Sequence, residues 1–172
     1  MTAARRRWKS TIAPAALVVG LILGLILGLA GGLAPAPAGA ATTERLVVDR
    51  HTGLALYGVD PVAYFTDMQP MAGRPEFELT FAGAVWRFRN EGNRAAFIDR
   101  PDVYLPRFGG YDPLAVARGV AVPGNPQIWL VANQRLYLFQ TPEAREAFAA
   151  DPAAMLAAAQ AKWPQVVEAL VP

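Results

Sequence analysis

The sequence predicts an α+β fold, with two β-hairpin-plus-helix units packed as one compact domain behind a signal or anchor helix. Three observations carry that expectation. Alternating aromatic runs, each followed by a capped amphipathic stretch, occur twice along the chain. They recur at a constant offset: Trp86-Arg87-Phe88, Phe97 and Pro101 are matched 51 positions later by Tyr137-Leu138-Phe139, Phe148 and Pro152. The third is a change of composition near residue 40, before which lies an apolar stretch of signal or anchor type.

The N-terminal segment, 1–40, is read as an export signal or membrane anchor. Arg5, Arg6, Arg7 and Lys9 form a basic end, LVVGLILGLILGLA at 17–30 an apolar centre, and Ala36-Pro37-Ala38 and Ala38-Gly39-Ala40 offer small-residue cleavage sites. Arg5-Arg6 also partly matches a twin-arginine signal, leaving the export route open. The 21 apolar residues 13–33 could instead span a bilayer core of ~30 Å uncleaved, with Gly20, Gly24 and Gly28 at helix-packing spacing. In both versions the folded part is exported, periplasmic or extracellular, and touches a membrane only through this segment if it is uncleaved.

The remainder, 41–172, has enough residues for one core without staples. Leu54 to Tyr57 and Pro75 to Phe81 alternate as strands, and Ala84 to Phe88 pairs with the latter across the Ala82-Gly83 turn. Asn90 is the expected cap of the first helix, which carries Phe97 back onto the aromatic strand. A first unit of about 53–108 is followed by a connector, 109–126, with a short helix around Leu114 to Arg118. The second unit, about 127–164, pairs Gln127 to Val131 with Arg135 to Phe139 around Asn133-Gln134. Thr141 and Pro142 then start a helix that carries Phe148. Asp151 and Pro152 start the tail helix, with Met155, Ala159 and Trp163 on one stripe and an expected break at Pro164.

Composition excludes several chemistries. The chain of 172 residues has no cysteine and one histidine, His51, which removes thiolate metal sites, disulfides, cysteine nucleophiles and multi-histidine cages. It has 16 Lys+Arg against 14 Asp+Glu; without the four N-terminal cations the balance is about −2, so the pI of about 9.2 is no argument for nucleic acid. No cofactor motif is present, and no Ser-His-Asp grouping assembles around His51.

DPVAYF at 60–65, WRFRNEGNRAAF at 86–97, PDVYLPRFGGY at 101–111 and QRLYLF at 134–139 resemble the YHS-domain family, specifically its exported two-unit members, over roughly Gly53 to Pro164. The resemblance implies a small α+β module associated with heavy-metal binding through cysteines. Where thiolate-bearing relatives read DPVCGM, FCSEGC and GGYC, this chain has Ala63, Arg89 with Asn93, and Asp112 at the sulfur places. Soft-metal binding by the family's chemistry is therefore rejected, because copper(I) and zinc sites depend on sulfur or imidazole.

Asp60, Tyr64, Tyr111 and Asp112 are the candidate ligand-binding residues, a polar pocket at positions carried over from the resemblance. Each aspartate precedes a proline, however, and an Asp-Pro pair also opens turns and caps helices. Arg87, Arg89 and Arg94 are expected on a solvated face, with an acidic partner as the other reading. The expected function is non-catalytic: binding of a small ligand or a protein partner outside the cytoplasm. A metal-handling protein using oxygen donors such as Asp60 and Asp112, with Tyr64 or Tyr111, is the alternative.

Overall fold

The computed structural model describes residues 45–170; the signal or anchor segment and its cleavage sites lie outside them. The fold is α+β. Strands β1 (Arg74–Phe81) and β2 (Ala84–Phe88) make one antiparallel hairpin, and β3 (Asn125–Ala132) and β4 (Arg135–Phe139) make the other. Helices α1 (Ala63–Thr66), α2 (Glu91–Asp99) and α3 (Pro101–Tyr104) accompany the first hairpin. The second is accompanied by α4 (Pro113–Ala117), α5 (Pro142–Ala150) and α6 (Pro152–Leu170).

Local sequence accounts for most of these boundaries. The Asn90 side chain accepts from the Asn93 amide, the Thr141 hydroxyl from Ala144 and the Asp151 carboxylate from Ala154, so α2, α5 and α6 are capped as their sequences require. The hairpin turns have positive φ at Ala82-Gly83 and at Asn133-Gln134, the geometry that matches strand twist in two-residue loops. Phe97 packs on Trp86 and Phe88 at ring separations of 5.1 and 5.2 Å, and Phe148 on Tyr137 and Phe139 at 5.0 and 5.2 Å. All six side chains are buried.

The correspondence between the halves runs further than the sequence indicates. The stretch expected as a connector, 109–126, makes the same bonds as 57–75. Gly73 N–H donates to Gly58 C=O and Gly124 N–H to Gly110 C=O; Asp60 N–H donates to Met71 C=O and Asp112 N–H to Val122 C=O. Leu54 bridges Val85 in parallel, and Pro106 bridges Leu136 in the same way. The second copy therefore starts near Pro106. Its opening is offset by 52 positions and its hairpin by 51, because the loop after Asp112 is one residue shorter than the loop after Asp60.

The copies are stacked in tandem. One face of the second hairpin, Leu130, Tyr137 and Phe139, packs with α5 and α6; its other face, Trp129, Val131, Leu136 and Leu138, packs on Leu56, Val62 and Tyr64 of the first copy. In the first hairpin the positions matching that second face are Glu78, Thr80, Val85 and Arg87. There Arg87 Nε donates to Glu78 Oε1 at 2.7 Å, on the same cross-strand pair that is Trp129 and Leu138 in the other copy. One end of the stack is thus closed by a polar hairpin face. At the other end α6, which starts where the short α3 does in the first copy, folds over α4.

Two further expectations are corrected. Leu54 to Tyr57 is not a strand: only Leu54 and Ala55 make bridges, and Leu56–Gly58 is a 3-10 turn with φ of 51°, 56° and 80°. This left-handed run lets Gly58 meet Gly73. Nor does Pro164 break the last helix, which continues to Leu170. An interior proline costs about 3 kcal/mol. Beyond it, however, Val166 and Leu170 are buried in the second core, and burying each is worth roughly 1.5–3 kcal/mol, enough to offset that cost.

Candidate functional site

Asp60 and Asp112 are the two buried charged residues of the described chain, at 0% and 3% exposure. Both carboxylates are taken up by amide donors. Asp60 Oδ1 accepts from Val62 N–H at 2.8 Å, and Oδ2 from Arg89 N–H at 2.8 Å and Asn93 Nδ2 at 2.6 Å. Asp112 Oδ1 accepts from Leu114 and Ala115 at the start of α4, and Oδ2 from Gln140 N–H at 2.8 Å. Each aspartate therefore ties the start of a short helix to the end of the hairpin, at matched positions in the two copies. Buried charge is tolerated when it is hydrogen-bonded in this way, and each such bond is worth about 1.5–3 kcal/mol.

Tyr64 is fully buried, and its hydroxyl donates to Pro126 C=O at 2.9 Å, pinning the first copy to the strand start of the second. Burial, then the nearby Asp60 charge, pushes its phenol well above the ordinary tyrosine range. Tyr111 is buried, with its ring 6.3 Å from that of Trp163.

The four residues form one pair per copy rather than one pocket. Asp60 lies near Tyr64, and Tyr111 adjoins Asp112 in the chain. Of the five principal cavities, one is lined by Tyr111, another by Asp112, and none by two of the four. Among the described residues no group of three or more His, Asp or Glu side chains is arranged to hold a metal ion. The three arginines expected on a solvated face are each half-buried and paired with a carboxylate: Arg87 with Glu78, Arg89 with Asp67 and Arg94 with Glu91.

Tyr57 is the residue that sequence reasoning missed. It is 50% exposed, and it stands between two neighbouring cavities whose linings share Tyr57 and Pro123. The first, of about 290 Å³, is bounded by Val47 to His51 and Tyr111. The second, of about 430 Å³, is bounded by Val59, Asn125, Gln127 and Gln140. Both fall near the lower end of the range of small-ligand clefts, about 300–1,000 Å³. Polar lining comes from the amides of Asn125, Gln127 and Gln140 and from Asp49, Arg50 and exposed His51; apolar lining comes from Val47, Val59 and Pro123.

Tyr57 adopts left-handed torsions (φ 56°, ψ 28°), which cost a non-glycine residue about 1–2 kcal/mol. Its counterpart in the second copy is Gly109, at φ 61°, where an added Cβ would collide with the Arg45 carbonyl. The fold thus accepts glycine in this turn, and the first copy carries an exposed aromatic ring there instead. Setting YGVDP at 57–61 against GGYDP at 109–113 brings out the substitution from sequence alone. No family model, no curated protein and no solved structure matches the chain.

Proposed function

We propose that the chain is an exported, non-catalytic YHS-like domain of two tandem units, and that it binds a small ligand in the cleft around Tyr57. The observation that carries the binding reading is an exposed tyrosine, held in a strained conformation between two cavities, at a position where its own twin is glycine. Strain of this kind concentrates at ligand-contact sites. The polar residues best able to do chemistry, Asp60 and Asp112, are consumed by backbone amides, which favours binding over catalysis.

Support for the family reading lies in the surroundings of Asp60. Two of the places at which thiolate-bearing relatives carry sulfur, Arg89 and Asn93, bond Asp60 here through a backbone amide and a side-chain amide, and a third is the buried Ala63. This donor set does not fit a soft metal ion: alanine and arginine supply no ligand atom, and the asparagine amide is engaged. A closed hydrogen-bond network stands where a metal centre would be.

The test uses the full chain expressed with its N-terminal segment. Intact mass and cell fractionation report whether the exported form begins after Ala38 or Ala40 or retains residues 13–33. Native mass spectrometry of the purified protein, after exposure to a small-molecule extract, is expected to show an adduct that Tyr57→Gly removes while leaving the melting temperature unchanged or raised. An adduct unaffected by that substitution would place binding elsewhere.

A further inference from the structure

The largest of the principal cavities, about 520 Å³, lies away from the Tyr57 cleft, between α6 and the segment that opens the second copy. Asp102, Leu105, Arg107, Phe108, Arg135 and Trp163 contribute to its lining. Two guanidinium groups and one carboxylate therefore border one hollow that is otherwise largely apolar and carries an indole, leaving its edge net positive. Arg135 approaches a single carboxylate, Asp102, at a long 3.9 Å, and that carboxylate is 67% exposed. Arg107 lies over the Phe108 ring at 5.8 Å and makes no ion pair among the described residues. Both cations also act on one common point: burial pushes the Tyr137 phenol up, while Arg107 and Arg135 each pull it down.

The duplication provides an internal control. The positions matching Arg107 and Arg135 in the first copy are Ala55 and Ala84, both buried. The scaffold therefore does not require a cation at either place. The opposite wall is also particular to this copy, because α6 replaces the four-residue α3. Where α6 passes Pro164, proline has no N–H to offer the Gln160 carbonyl, and Gln160 and Pro164 both line the cavity. The hollow thus combines a net cationic edge with an indole wall.

We propose that this cavity binds a planar organic carboxylate. Its anionic group is held between Arg107 and Arg135, and its apolar body lies against Trp163 and Leu105. Arginine suits this task because its planar fork matches a carboxylate and stays weakly hydrated. A net positive edge over an apolar wall selects an anion with a hydrophobic body over an inorganic ion, which could not use the wall, or a neutral ring, which could not use the cations.

The test is a titration of the full-length protein with 2-naphthoate and its neutral isostere 2-naphthamide, followed by calorimetry and ligand-observed NMR. Naphthoate is expected to bind at least roughly tenfold more tightly than the amide, as one charge-assisted bond requires, and to weaken as salt is raised. Arg107→Gln and Arg135→Gln should each reduce that affinity by about tenfold or more, whereas Arg74→Gln, on exposed β1, should not. Should Arg107→Gln fail to fold, Arg135→Gln alone carries the test, since its site flanks a hairpin turn and its side chain is 34% exposed. Equal binding of the amide, or undiminished binding by Arg135→Gln, overturns the proposal. Tighter binding of 2-naphthyl phosphate overturns the carboxylate assignment. Tyr57→Gly should leave naphthoate binding intact, which separates this site from the cleft proposed above.

Discussion

Asp60 and Asp112 perform the same structural task in the two halves of the chain. Each carboxylate accepts an amide two residues on, at the start of a short helix, and a second amide just past the hairpin, from Arg89 in one half and Gln140 in the other. These bonds account for their burial, at 0% and 3% exposure.

Removing either carboxylate strands buried N–H groups. Asp60→Ala and Asp112→Ala are each expected to destabilise the fold by about 2–4 kcal/mol in urea unfolding. Asp60→Ala should cost more, because it also releases the Asn93 side chain. Equal, negligible losses would show that the junctions are solvated.

Tyr57→Gly should stabilise the fold, or at worst leave it unchanged, as strain relief of about 1–2 kcal/mol is partly cancelled by the greater freedom of glycine in the unfolded chain. The opposite experiment is harsher. In Gly124→Ala the new Cβ would lie 2.6 Å from the Leu138 Cβ and 2.8 Å from the Gly110 carbonyl oxygen, so a loss of several kcal/mol, on the order of 3, is expected in thermal melts.

Alkaline pH should unfold the protein through its buried tyrosines. Tyr64 and Tyr137 both have phenol pKa values raised above the ordinary 10.0 in the folded state. Below pH ~10 both states hold these protons and stability is level; above it the unfolded chain ionises first, and stability falls as pH rises towards the folded values. Tyr64→Phe should lower stability at neutral pH by about 1 kcal/mol, through loss of the bond to Pro126, and should flatten the alkaline decline. A decline as steep as in the unmodified protein would contradict this assignment.

The Glu78–Arg87 pair closes one end of the stack, so replacing it with the residues of its twin should open that end. Glu78→Trp with Arg87→Leu would present an apolar face like that of Trp129 and Leu138, and a concentration-dependent dimer is expected in sedimentation analysis. Trp129→Ala acts on the partly buried counterpart and should cost about 2–3 kcal/mol, below the roughly 3–5 of a fully buried aromatic. A Glu78→Trp/Arg87→Leu variant that remained monomeric at high concentration would show that the apolar face alone does not drive stacking.

Much of the fold was legible because its signals are local. The caps at Asn90, Thr141 and Asp151, the turns at Ala82-Gly83 and Asn133-Gln134, and the core roles of Phe97 and Phe148 depend on neighbours a few residues away. The opening of the second copy was missed for a physical reason: a one-residue difference in loop length moves the Asp-Pro pairs to an offset of 52 while the strands stay at 51. Asp60, Tyr64, Tyr111 and Asp112 stand out in the sequence as candidate ligand-binding residues of one pocket. Their hydrogen bonds, and not their residue types, assign the two aspartates to joining helix start and hairpin end within each copy, and Tyr64 to joining the copies.

The sequence by itself determined the α+β class, the two hairpins and the capped helix starts, because strand alternation, cap chemistry and turn conformation are short-range properties of the chain. Only the tertiary structure decided how the units stack, that α6 continues through Pro164, and that Tyr57, Arg107 and Arg135 border cavities. Each of these depends on groups distant in sequence: a hairpin face is apolar or polar according to what covers it, and a proline is tolerated when the residues beyond it are buried. A cavity exists only where separate segments fail to fill the space between them.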